Sequence, residues 1–144
     1  MRRHDALIPL SHDHHHALVQ VRRLKLAAEA TAESRMETAR AFLDFFREDT
    51  LAHFREEEEN VFPLGVDSPE LRGTLCRVMF EHLRIHQMVR GLQEEADNGA
   101  VSRDQMVRLA TVLERHIRFE EKVVFPEIER VAADVLNAAV LTTS

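Results

Sequence analysis

Two stretches of this chain, HFREEEENVFP at residues 53–63 and HIRFEEKVVFP at residues 116–126, share one pattern. Each runs from a histidine through three residues to a pair of glutamates, then closes on an apolar pair and Phe-Pro. Residues four apart on a helix stand on the same face one turn away from each other, so His53 points with Glu57 and His116 with Glu120. His82 and His86 have the same spacing. A fourth source of imidazole is HDHHH, residues 12–16, in which His14 continues an apolar stripe through Leu18, Val21 and Ala28. His15 is the alternative there, because the backbone near a helix start departs from ideal periodicity. Imidazoles and carboxylates that converge on one centre are metal ligands. A single histidine on an apolar face is more often a hydrogen-bonded core residue, but four helices presenting one together favour ligation.

Five imidazoles (His14, His53, His82, His86, His116) and two carboxylates (Glu57, Glu120) exceed the usual four ligands of a zinc ion, which implies two metals. If both carboxylates bridge and one oxygen bridges with them, these donors fill all but one position of two octahedral ions. Mixed nitrogen and oxygen ligation with an open position suits iron that binds a small diatomic, whereas closed cysteine-rich sets suit structural zinc. Zinc or manganese are the expected substitutes. Glu56, Glu59 and Lys122 are expected to face solvent, the two Phe-Pro pairs to pack the end of the scaffold, and Cys76 to act as a small core residue.

The scaffold that must position these side chains reads as all-α. Gly and Pro number four each, Trp and Tyr are absent, and 44% apolar with 31% charged residues over 144 positions suits one globular domain. Pro9 and Ser11 precede a first helix to about Glu29. Ser34 and Glu37 form a capping-box pattern for a second, reaching about Val61. Ser68-Pro69-Glu70 starts a third that ends at Asn98-Gly99, and Ser102 with Gln105 forms a capping-box pattern for a fourth. Short connections between long amphipathic helices predict an up-down-up-down antiparallel four-helix bundle. Its core spans about 5–130, and Pro126 is expected to interrupt the last helix before a short C-terminal helical extension, with the tail over about 131–144. The formal charge of -6 argues against nucleic acid, which requires a basic face. The longest weakly polar run, VAADVLNAAVL, is too short to span a membrane. With one cysteine and no signal-peptide pattern, the expectation is a cytoplasmic protein.

The set His14, His53-x-x-x-Glu57, His82-x-x-x-His86 and His116-x-x-x-Glu120, with its repeated glutamate pairs and Phe-Pro endings, resembles the hemerythrin and hemerythrin-like HHE cation-binding domains. The resemblance spans roughly residues 5–130. It implies a four-helix bundle with a non-haem di-iron centre, bridged by two carboxylates and an oxo or hydroxo group. It also implies binding of, or response to, dioxygen, nitric oxide or iron. Carried over by position, His53, His82, His86 and His116 are terminal iron ligands, and Glu57 and Glu120 are the bridges. The helix-four carboxylate lies four residues after its histidine, where the oxygen-carrying hemerythrins use a spacing of five with Asp. That departure leans away from a dedicated oxygen carrier.

The expected role is metal and small-ligand binding more than dedicated catalysis. Two other classes stand beside it. One is a metal-responsive binding or signalling module, for which no output element is evident in the sequence. The other is a ferritin-like oxidase or iron-storage bundle, which uses Glu-x-x-His pairs; no histidine here has a glutamate three residues before it. Glu58 and Glu121 are expected to be surface groups or to orient the imidazoles.

Overall fold

The computed structural model describes residues 3–137. Helix α1 covers Ile8–Ala28, α2 Ala32–Phe45, α3 Leu51–Glu56, α4 Arg72–Asp97, α5 Arg103–Phe119 and α6 Phe125–Val131. Wide π turns join several of these without a break: Phe46–Thr50 links α2 to α3, Glu57–Val61 prolongs α3, and Glu120–Val124 links α5 to α6. The result is four rods, namely α1, α2 with α3, α4, and α5 with α6. Helix α1 packs on α2 and α5, and α4 packs on the same two, which closes the rods into a ring. Every regular element among the described residues is helical, and none is long and apolar enough to cross a membrane.

The helix ends correct part of the sequence reading. Helix α1 begins at Ile8, ahead of Pro9, which is tolerated in a first turn because its missing N–H would have no partner there. Helix α2 begins two residues before Ser34, and its cap is Thr31, whose Oγ1 accepts from the Ser34 amide at 3.0 Å. Thr31→Ala should therefore cost about 1 kcal/mol in urea unfolding, and Ser34→Ala much less. Ser102 does cap α5, accepting from the Gln105 amide at 3.2 Å, but its own amide donates to Glu95 Oε1 at 2.6 Å. The reciprocal half of that box thus comes from the end of α4. Gly99 closes α4 with φ of 91°, a left-handed conformation that suits glycine.

The expected short C-terminal helix is present as α6, but Pro126 does not interrupt the rod ahead of it. A proline clashes with the carbonyl four residues back, and the π turn at Glu120–Val124 spaces the backbone more widely just ahead of it. Pro126 then lies in the first turn of α6, and the rod continues. In the first copy of the repeat, Pro63 is followed by a tight turn over Phe62–Gly65. Gly65 occupies the repeat position of Ile128, and a Cβ there would lie 2.6 Å from Leu71 Cδ1 and 3.0 Å from Ile128 Cδ1. One copy stops short so that the other can fill the same end. Beyond it, residues 133–137 are helical, and Ala132 and Leu136 are buried at that end; the rest of the expected extension lies outside the described residues.

Two apolar clusters fill the ring. One gathers Val21, Leu24, Phe42, Phe46, Phe54, Ile85, Leu92, Leu109 and Leu113. The other gathers Leu7, Leu10, Val61, Phe62, Leu75, Val78, Val124, Phe125 and Ile128. In each rod, the residues between these two sets are polar and buried: His14; His53 and Glu57; His82; His116 and Glu120. Cys76 lies outside both clusters and is exposed, contrary to its expected place in the core.

Candidate metal centre

The buried residues of each rod form a line with alternating three- and four-residue steps, and the histidines on those lines reach the centre. In α1 the line runs Leu7, Leu10, His14, Ala17, Val21, Leu24 and Ala28, and in α4 it runs Leu75, Val78, His82, Ile85, Val89 and Leu92. His14 is 3% exposed, while His15 and His16 are exposed and lie against each other. His86 does not reach the centre. Ile85 takes the next inward place after His82, and His86 is exposed, its ring edge-on to Phe46 and Phe54 at 5.7 Å. Phe54 stacks on His82 at 3.8 Å and Phe125 on His14 at 5.3 Å, so apolar rings hold two of the imidazoles from opposite sides of the layer.

Six donors meet. His53 Nε2 and His82 Nε2 each lie 3.2 Å from a different oxygen of Glu57. His116 Nε2 lies 3.2 Å and His14 Nε2 2.9 Å from Glu120 Oε1. The donors form two groups of four, His14, His53, Glu57, Glu120 and Glu57, His82, His116, Glu120, within each of which the donor atoms lie within 4.8 Å of one another. Both carboxylates belong to both groups. Several contacts are close without being aligned as hydrogen bonds: both Glu57 oxygens, Glu120 Oε2, His82 Nε2 and His116 Nε2 are buried with no hydrogen-bond partner. Buried polar atoms are rarely left so, and a cluster of them converging on one point fits a cation.

Residues 7–128 match the family described as hemerythrin HHE cation binding domain. The chain belongs to that family. No curated protein and no solved structure matches it. Membership and the buried His/Glu cluster together are compatible with metal binding, with iron the metal the family suggests.

Around the centre of this hemerythrin-like domain runs a second ring, of carboxylates. His14 Nδ1 donates to Glu121 Oε2 at 2.7 Å, His53 Nδ1 to Asp13 Oδ2 at 3.0 Å, His82 Nδ1 to Glu58 Oε2 at 2.7 Å, and His116 Nδ1 to Glu81 Oε1 at 2.7 Å. Each rod therefore orients the imidazole of the next one around the ring. The acids are sequence neighbours of the inward residues, Asp13 of His14, Glu58 of Glu57, Glu81 of His82 and Glu121 of Glu120. One residue turns a side chain by about 100°, from the centre toward the adjoining rod. A carboxylate only accepts, so each Nδ1 carries a proton, and Nε2 is the ring nitrogen turned inward, the one that a metal would take. Glu81 is itself held by Arg77, whose Nε donates to Oε2 at 3.0 Å, and Glu121 by the Ser11 hydroxyl at 2.9 Å. Asp13 and Glu81 escape a reading confined to helical faces, although the acid-His pairs Asp13-His14 and Glu81-His82 carry the signal. Glu81→Gln or Asp13→Asn should weaken metal affinity by about tenfold to a hundredfold in competition titrations while the fold persists.

Without metal these groups divide protons unequally. Burial and the neighbouring Glu120 push Glu57 well above the usual carboxylate range. Burial acts on Glu120 in the same direction, but His116 and His14 outweigh it and hold that carboxyl well below the range. His116 is pushed up to about 9, since its contacts with Glu120 and Glu81 outweigh its burial. Burial and His116 push His82 down to about 4. His14 is raised because Glu120 and Glu121 overcome its burial, and His53 is lowered by burial and by His14.

One side of the centre is open. A cleft of about 410 Å³ enters between α1 and the π turn at Phe46–Thr50 and is lined at its inner end by His14, His53, His116 and Glu120.

Proposed function

We propose that this domain binds two iron ions, with His14 and His53 on one, His82 and His116 on the other, and Glu57 and Glu120 bridging both. The observation that carries the reading is the sharing of both carboxylates between two four-donor groups, five of whose inward atoms have no hydrogen-bond partner. Six protein donors leave room at both ions for small ligands. Zinc and manganese would compete for the same donors. When bound, the metal pair supplies an electrophilic position for dioxygen, nitric oxide or a similar small molecule. The protein's part is to fix the imidazoles through the carboxylate ring, to keep the layer dry between two apolar clusters, and to leave the cleft side accessible. We place the four rods in an up-down-up-down arrangement. The starts of α1 and α4 share one apolar cluster with the ends of the second and fourth rods, which supports it.

Metal content by elemental analysis on protein purified without a chelating column, taken with the visible spectrum, tests this reading. Two irons per chain with charge-transfer absorption is the expected result; a single zinc would overturn it. His14→Ala is expected to remove about half of the metal, and His82→Ala likewise, whereas His15→Ala, His16→Ala and His86→Ala should leave it at wild-type level. Loss of iron in His15→Ala with full occupancy in His14→Ala would show that α1 is rotated by one residue.

Proton release gives the reading a second test. A metal must displace the proton that His116 carries below about pH 9, so apparent affinity should rise with pH through the neutral range.

A further inference from the structure

The two donor groups differ in how they face the cleft. Both imidazoles of the first group, His14 and His53, line it, and their side chains are 4% and 6% exposed. In the second group His82 does not line it, and the side chains of His82 and His116 are each 1% exposed. Glu57 and Glu120 belong to both groups and are fully buried, so the difference lies with the imidazoles.

The rings are also held unequally. His82 stacks on Phe54 at 3.8 Å with Phe62 at 5.8 Å, and His116 meets His82 at 4.9 Å and Phe54 at 5.9 Å, both edge-on. In such close packing a ring swings only if its neighbours move as well. His53 has looser company, tilted against His14 at 4.7 Å and Phe54 at 6.3 Å. Its Nδ1 bond to Asp13, at 3.0 Å, is the longest of the four that orient the imidazoles, the others being 2.7 Å. The Asp13 carboxylate itself lines the cleft with 51% exposure, so water competes for it. Glu81, which serves His116, is held by Arg77, whose guanidinium lies over the Phe119 ring at 3.6 Å. One imidazole of the first group is therefore free to turn away toward the cleft, and neither of the second is.

We propose that the two metal positions exchange separately: the His14 and His53 position gives up its ion through the cleft, with His53 as the ligand that lets go, while the His82 and His116 position keeps its ion. The inference rests on the two-metal reading and adds that one position is labile. The one-metal form is tolerable because Glu57 and Glu120, shared by both groups, still face a cation after the first ion has left. The emptied position is then open to another divalent cation, so the domain can carry a mixed pair.

The test follows release of ferrous iron to an excess of a chromogenic ferrous chelator under anaerobic conditions, from protein whose iron content is measured beforehand. Two phases of one iron each are expected, separated by about tenfold or more in rate. His14→Ala should show the slow phase alone and His82→Ala the fast phase alone. Asp13→Asn should speed the fast phase by about tenfold and leave the slow one unchanged, and Glu81→Gln should do the reverse. Where a histidine variant loses both irons, these two rates assign the phases. Val19→Phe, on the exposed wall of the cleft, should slow the fast phase alone with iron content retained. A single phase from protein holding two irons would overturn the inference and leave the two-metal reading standing, as would acceleration of the slow phase by Asp13→Asn. An unchanged fast phase in Val19→Phe would overturn the route through the cleft. Fewer than two irons before the chelator is added would remove the reading and the inference together.

Discussion

Replacing Glu57 or Glu120 by alanine is expected to empty both metal positions at once, taking iron from about two per chain to near zero on gel filtration. Each carboxylate belongs to both donor groups, so one substitution removes a ligand from each ion together with the negative charge that offsets them. The loss should exceed that from any single histidine, which serves one ion. It should also exceed the effect of Glu58→Ala or Glu121→Ala, whose carboxylates meet Nδ1 atoms behind the imidazoles and orient them, at about tenfold to a hundredfold in affinity. Glu57→Gln separates site loss from unfolding: it keeps the side-chain shape and replaces a carboxyl whose ionisation burial and Glu120 oppose, so the metal-free variant should be as stable as metal-free wild type or more so. Retention of two irons in Glu57→Ala with loss in Glu58→Ala would reverse the roles assigned to the two neighbours.

That assignment is largely legible in the sequence, because it depends only on helical phase. His53 with Glu57, and His116 with Glu120, lie one turn apart, and the apolar line through Leu10, Ala17 and Val21 selects His14 over His15. The same logic applied to α4 excludes His86. The line through Val78, His82, Ile85 and Val89 steps by three after His82, whereas the four-residue spacing taken alone suggests a second ligand pair. What stays hidden depends on contacts between rods. Asp13 serves His53 and Glu81 serves His116 across separations of 40 and 35 residues, and no periodicity within one helix encodes them. The π turns are hidden for another reason. They change the hydrogen-bond step without changing composition, and a proline that ordinarily ends a helix is accommodated behind one. The cleft is invisible because its walls come from α1, the Phe46–Thr50 turn, α3 and α5 together.

Metal-free protein is expected to be most stable near pH 6.5 and to weaken on either side, whereas the loaded protein should hold its stability as pH rises. Above pH 6.5 the governing group is His116. Its pKa is about 9 in the folded protein against about 6.5 unfolded, so its contribution is fully present below 6.5 and is lost as pH rises through about 9. Raised His14 acts with the same sign, and so does Glu57, whose elevated pKa makes the folded state the stronger proton binder above the ordinary carboxylate range. Below pH 6.5 the sign reverses. His82, at about 4 when folded, and lowered His53 take up protons more readily unfolded, and depressed Glu120 loses its contribution in stronger acid. A tenfold change in proton affinity between the folded and unfolded chain corresponds to about 1.4 kcal/mol, so several groups acting together should move the melting temperature by several degrees between pH 6.5 and 9. A bound metal takes the place of those protons, and it stabilises the native state alone, by about 4 kcal/mol at a thousandfold excess over its dissociation constant. The difference in melting temperature between loaded and chelator-stripped protein should therefore widen from pH 6.5 to pH 9. Differential scanning calorimetry at the two pH values, on samples with measured metal content, decides the matter. A gap that is absent at both, or that narrows toward pH 9, would mean that the metal does not occupy the buried His116 and Glu120 layer.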